Sequence, residues 1–196
     1  MKTLITEFIS LDGVVQAPGA PDEDTDGGFK HGGWSTKYFD PEVMGGTYDE
    51  LAKSSDALLQ GRRTYQVSAA AWPKRSGDDF TEWINSTQKY VVSDTLTEDD
   101  ISWHPTTIIR SADLMTKLNE LREHPGGYIY LYGSPTLVRS MMAQDLVDEL
   151  LLTIEPIVLG GGKTIWSDNG QALEWELFST AKAKTGAQVC RYARAR

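Results

Sequence analysis

The stretch Tyr128-Ile129-Tyr130-Leu131-Tyr132-Gly133-Ser134-Pro135-Thr136 decides the fold. Its first five residues are aromatic or aliphatic and read as a strand. Gly133 breaks the run, and Ser134-Pro135 opens a helix, because proline at the first helical position loses no hydrogen bond. Leu137, Val138, Met141, Met142 and Leu146 then recur on one side of that helix. A strand passing through a glycine turn into a helix is half of a parallel β-α-β unit.

The same pattern recurs upstream. Ala57 to Gln60 is a short apolar strand followed by Gly61-Arg62-Arg63-Thr64-Tyr65 and a helix. Thr3 to Ile9 is a first strand, ending in the polar turn Ser10-Leu11-Asp12-Gly13. Ala17 to Gly33 is dense in Gly, Pro and Asp and reads as a long loop, of the length that often carries function. Asp40-Pro41 caps and starts a helix with Val43, Met44, Thr47, Tyr48 and Leu51 on one face, interrupted by Gly45-Gly46. Lys89 to Ser93 and Thr106 to Arg110 are further strands, and Ser111 caps a helix carrying Leu114, Leu118 and Leu121. Leu150 to Leu159 is almost continuously apolar, as in a strand covered on both faces. Leu173 to Arg194 alternates and turns near Lys184-Thr185-Gly186. Together these elements predict one α/β domain over residues 1–196, with a mostly parallel sheet between helical layers and an antiparallel C-terminal hairpin.

The chain has 28 acidic and 19 basic residues, a formal net charge of −9, which disfavours nucleic acid and anionic lipid as partners. An anionic cofactor stays compatible, since a few cations and backbone N–H groups can dominate a cleft. Cys190 is the single cysteine, and the first residues form neither a signal peptide nor an apolar span. The expectation is a soluble, cytoplasmic protein.

Three pattern matches mislead. Asp22, Asp24, Asp26 and Gly27 mimic the start of a calcium loop, but the twelfth position is Gly33 where a bidentate Glu is needed. Gly160-Gly161-Gly162-Lys163-Thr164 mimics the end of a P-loop, but its first glycine would be Ile157, and Ile165-Trp166 continues as strand. Asn85-Ser86-Thr87 is a glycosylation pattern with no secretion signal. His31, His104 and His124 have no metal-ligand spacing, so no metal is expected. The Gly-x-Ser-x-Gly elbow and the Gly-x-Gly-x-x-Gly fingerprint are both missing.

Two turns survive, Gly61-Arg62-Arg63-Thr64 and Gly133-Ser134-Pro135-Thr136. Ligands of open α/β sheets bind at the carboxyl ends of strands, where helix N-termini favour phosphate. Glycine at either junction also serves merely to turn the chain. The pair on one sheet is the stronger signal, and one of the two arginines is expected in a surface ion pair.

Ser10-Leu11-Asp12-Gly13, Gly61 to Tyr65, Val92-Ser93 and Tyr132-Gly133-Ser134 follow an order similar to the dihydrofolate reductase-like superfamily. Leu146-Val147-Asp148-Glu149-Leu150 and Ile154-Glu155-Pro156-Ile157-Val158-Leu159-Gly160 resemble the reductase domain of the bifunctional riboflavin-biosynthesis deaminase-reductase. The resemblance implies an NADPH-dependent reductase, typically a homodimer, acting on a small heterocycle of pyrimidine or pterin type. It extends to 5-amino-6-(5-phosphoribosylamino)uracil reductase activity, although no deaminase domain or zinc motif accompanies it. It implies that Gly61, Arg62, Arg63, Thr64 and Ser93 lie at the cofactor phosphates and that Gly133, Ser134, Thr136 and Leu137 hold the pyrophosphate. Leu11, Asp12 and Gly13 would border the nicotinamide.

Asp12 is the first candidate for a catalytic polar contact, with a self-bonded turn residue as the alternative. Phe29 and Trp34 could cover a flat substrate, although Trp34 could equally be core to its loop. Glu155 interrupts an apolar strand and would need a partner if buried, which makes it a further substrate-site candidate. Asp148-Glu149 reads as structural or surface charge. Two alternatives stay open: a dihydrofolate reductase proper, for which Asp40 and Glu42 are poor candidates as the acid, and a non-catalytic nucleotide-binding module.

Overall fold

The computed structural model describes residues 1–195. Eight strands form one sheet in the order β4-β3-β2-β5-β1-β6-β8-β7. They are β1 (Lys2–Ser10), β2 (Ser55–Gly61), β3 (Gln88–Val92), β4 (Thr106–Ile109), β5 (Tyr128–Tyr132), β6 (Glu149–Glu155), β7 (Trp175–Lys182) and β8 (Gln188–Arg194). The first six in spatial order are parallel; β8 runs antiparallel to β6, and β7 antiparallel to β8. Five helices join them: α1 (Gly46–Lys53), α2 (Arg62–Ala71), α3 (Asp79–Ser86), α4 (Leu114–Glu123) and α5 (Pro135–Ala143). This is the mostly parallel α/β architecture anticipated from the strand-helix alternation, with the antiparallel C-terminal hairpin, and it agrees with the dihydrofolate reductase-like fold that the resemblance implied.

Neighbouring strand residues feed opposite layers, as the two-residue period requires. Ile5, Leu59, Ile129 and Leu131 pack with Leu118, Val138 and Met141 on one side. Leu4, Leu58 and Tyr130 pack with Met44, Leu51 and Ile84 on the other. β6 lies between β1 and β8 and is buried along most of its length, which explains its apolar run.

Four boundaries differ from expectation. The β6 strand ends at Glu155, where Pro156 cannot donate to the ladder, so residues 156–159 leave the sheet. Ile165-Trp166 is not a strand; only Thr164 bridges, to Val14. Ser111 does not cap α4 with its side chain; its N–H donates to Asp94 in a tight turn before the helix. At Gly45-Gly46 a wider turn, Pro41–Gly45, runs into α1 without breaking it. Its cap is Asp40, which accepts from the Glu42 and Val43 amides.

β5 sits between β1 and β2, so three carboxyl ends meet on one edge: Ser10, Gly61 and Tyr132. That edge carries the surviving sequence signals.

Candidate active site

The two glycine turns are locked together. The Gly61 N–H donates to Ser134 Oγ at 2.8 Å, and Ser134 Oγ donates to Thr64 Oγ1 at 2.7 Å. A Cβ at Gly61 would stand 2.9 Å from Ser134 Oγ, so only glycine fits there without displacement. Gly133 has φ +64° and faces Thr64, and Ser134 follows in the left-handed region at φ 59°. Neither α2 nor α5 has a side-chain cap, in contrast to α3, whose Asp78 accepts from Thr81 N. The Gly61–Ser134–Thr64 link therefore joins the N-terminal turns of two helices, and helix N-termini favour anions such as phosphate.

The arginines divide. Arg62 is exposed, with Gln66 as its side-chain partner at 3.4 Å. Arg63 is the one in an ion pair, with Asp26 and, at 3.8 Å, Asp24. The same two carboxylates pair with Lys163. Gln16 ties this acidic loop down further, donating to the Asp24 and Asp26 carbonyls and accepting from Lys163 N. Ser93, at the end of β3, is buried and its Oγ accepts from the Thr95 and Leu96 amides, so its side chain shapes its own turn.

Asp12 is bonded within its own turn and to a distant loop. Its carboxylate accepts from Ser10 Oγ at 2.6 Å, Leu159 N at 3.1 Å and Gly160 N at 2.7 Å. The Ser10 hydroxyl, followed by these amides, lowers its pKa to about 2. An anion so held is a staple between the first turn and the 156–163 loop and is unsuited to donate protons near neutrality. Leu11 beside it is exposed, and Gly13 has φ +83° with Trp166 Nε1 3.3 Å from where a Cβ would lie.

Trp34 is buried, and its indole N–H donates to the Gln16 carbonyl at 2.8 Å. It is core to the loop, which removes it as a cover for substrate. Phe29 instead lines an open groove of about 510 Å³ with Asp26, His31 and the Leu159–Lys163 segment. Asp40 and Glu42, the poor candidates for the acid of a dihydrofolate reductase proper, are engaged elsewhere: Asp40 also accepts from Lys184 N, and Glu42 pairs with Lys184. Asp148 and Glu149 are internal staples. Asp148 accepts from Thr3 N and Arg122, and Glu149 is held by Arg191, Lys2 and Tyr128.

Glu155 is completely buried at the end of β6. One oxygen accepts from Ser35 Oγ at 2.6 Å; Oε2 has no partner. Burial is the main influence that pushes its pKa up to about 7. Nearby, Tyr48 OH and Thr153 Oγ1 lie 3.2 Å apart, and burial raises the Tyr48 phenol as well. Sequence reasoning missed Glu7, a second carboxyl buried in the sheet with an unpartnered oxygen. It interrupts β1 as Glu155 interrupts β6, so the criterion that singled out Glu155 would have found it. Among the described residues no group of three or more His, Cys, Asp or Glu could hold a metal ion, and no helix is long and apolar enough to cross a membrane.

A family model described as the RibD C-terminal domain matches residues 2–189. The chain belongs to that family. Within reach of this RibD C-terminal domain is the protein YyaP of Bacillus subtilis (strain 168), 29% identical over 189 residues, covering 94% of this chain and 90% of that one. A solved structure from Shewanella sp. PV-4, named for riboflavin biosynthesis, superposes with a TM-score of 0.69 at 19% identity and covers all of both chains. Dihydrofolate reductase of Enterococcus faecalis, solved with NADP(H), superposes with a TM-score of 0.61 at 13% identity, over 100% of this chain and 97% of that one. At these identities the two structures speak for the fold. The family adds that this is a reductase-like RibD C-terminal domain.

Proposed function

We propose that the chain is an NADPH-dependent reductase that delivers hydride to a small heterocycle of the pyrimidine or pterin class, with the ribosylaminopyrimidine of riboflavin biosynthesis as the leading candidate. The observation that carries this reading is the pair of uncapped helix N-termini joined through Ser134. Membership of the RibD C-terminal domain family supports it.

The residues present fit the cofactor. Gly133, Ser134, Thr136 and Leu137 would hold the pyrophosphate by backbone N–H groups, with Gly61 and Thr64 framing the same turn. Arg62 would meet the adenosine 2′-phosphate, since Arg63 is already neutralised by the acidic loop. When bound, NADPH supplies the hydride chemistry. The chain's own share is to orient, to exclude water and to hold protons. Leu11 and Gly13 would border the nicotinamide ring, and Phe29 lies along the open groove. Glu155, near-neutral and beside Ser35, holds a proton next to the substrate side.

We further read the protein as a cytoplasmic homodimer. The edge strand β7 supports this with exposed Leu177 and Phe178. The deciding experiment is a thermal-shift titration with NADPH and NADH, followed by NADPH oxidation across a panel of pyrimidine and pterin acceptors. Preferential stabilisation by NADPH is expected. Absence of stabilisation by either nucleotide would sink the reading, and binding without turnover across the panel would leave a binding module in its place.

A further inference from the structure

Glu7 is not used by the reading above. It lies on the β1 face shared with Ile5 and Ile9. The pairing of β1 with β5 runs to Thr6↔Tyr132, which brings Glu7 level with Gly133 of the α5 turn. The residue is 4% exposed, and its Oε1 is buried without a hydrogen-bond partner. Burial raises its carboxyl well above the ordinary 4.5; the Gly133 backbone N–H works against this, and the charge of Glu23 in the long loop reinforces it. None of these influences is a cation.

An orphaned polar group inside a sheet costs about 1–3 kcal/mol, so its presence asks for a reason. A neutral carboxyl presents one O–H donor and one carbonyl acceptor side by side. The complementary partner is a planar amide edge, an N–H beside a C=O, engaged through two parallel hydrogen bonds. An ionised carboxylate could accept from such an edge but could not donate to it.

We propose that Glu7 is a specificity-determining residue that recognises an amide edge on the ligand held between the Ser10–Gly13 and Gly133–Leu137 turns. The proposal rests on the nucleotide-dependent reductase reading. Two groups carry this chemistry: the carboxamide of a nicotinamide ring and the lactam edge of a pyrimidine or pterin.

The test compares wild type with Glu7→Leu and Glu7→Gln by calorimetric titration. The probes are NADPH, its 3-acetylpyridine analogue (a methyl ketone in place of the carboxamide), 2′,5′-ADP, and pterin or 5,6-diaminouracil added to NADPH-saturated protein. If the cofactor is the source, Glu7→Leu weakens NADPH about tenfold or more, leaves 2′,5′-ADP unchanged and erases the preference for NADPH over the ketone analogue. Glu7→Gln, neutral and presenting an N–H donor beside a carbonyl acceptor, retains affinity within about threefold. If the substrate is the source, the loss falls on pterin or 5,6-diaminouracil instead, with NADPH unaffected. Glu7→Met carries the same comparison should Glu7→Leu not fold. The proposal is overturned if Glu7→Leu binds every probe as wild type does. If no protein, wild type included, binds even 2′,5′-ADP, the cofactor reading itself falls and this assignment falls with it.

Discussion

Replacing Glu155 with Gln isolates the cost of keeping a buried carboxyl in the sheet. In the folded chain this carboxyl titrates at about 7, against an ordinary 4.5. The folded state therefore binds its proton more tightly than the unfolded state. By linkage the neutral acid costs nothing extra below about pH 4.5, and a penalty grows as pH rises, complete once pH passes about 7. At about 1.4 kcal/mol per decade the full penalty is ~3 kcal/mol, and local relaxation brings it nearer ~2 kcal/mol. Gln keeps the acceptor that Ser35 Oγ uses at 2.6 Å and cannot ionise. Glu155→Gln is therefore expected to match wild type within ~0.5 kcal/mol at pH 5 and to exceed it by ~2 kcal/mol at pH 8. Urea denaturation at both values, with equal slopes for the two proteins, reads the difference. A variant equally or less stable than wild type at pH 8 would refute the reasoning, because Glu155 would then be ionised and compensated.

Further outcomes follow from the site. Arg62→Ala is expected to lower the preference for NADPH over NADH by about tenfold, and Arg63→Ala to change it by less than about threefold; equal effects would contradict the division of labour between them. Gly133→Ala puts a side chain at φ +64°, 3.1 Å from Thr64 Cγ2, and should cost ~1–2 kcal/mol of stability together with most of the nucleotide-induced thermal shift. Asp24→Asn with Asp26→Asn frees Arg63 and Lys163; tighter binding of 2′,5′-ADP at low salt, converging with wild type at high salt, is the signature to look for. Asp12 is held below its ordinary pKa, so the stability it contributes is present above about pH 4 and lost as pH falls toward 2. Asp12→Asn should flatten that acid limb in a melting-temperature profile, and an unchanged limb would assign the acid transition to other carboxylates.

The sheet and its hairpin were legible because each strand carried its own punctuation: Gly61 and Gly133 after apolar runs, Pro135 opening α5, Thr185-Gly186 in the final turn. What misled was local in the opposite sense. Pro156 ends β6, yet the apolar residues beyond it looked like more strand. Asp12 was legible as polar and near the edge, but its partners Leu159 and Gly160 lie some 147 residues away in sequence, beyond any local pattern. The Arg63 contacts with Asp24 and Asp26 were foreseen only as an unassigned ion pair, since they depend on how the long loop folds back. Trp34 shows the limit of residue type: an indole suits a substrate cover and a loop core equally, and only its bond to Gln16 decides.

The placing of β5 between β1 and β2 has a consequence for assembly. Between the end of β2 at Gly61 and the start of β5 at Tyr128 lie 66 residues, so during synthesis both central strands wait with unsatisfied edges for a partner made much later. Until it slots in, Gly61 has no Ser134 to bond and Glu7 has no Gly133 beside it. The paired glycine turns therefore have no partial form: they come into being in the same non-local closure that joins β2 to β1 through β5. Proteins dominated by such distant pairings fold slowly. A ligand that grips both turns would act on that closure.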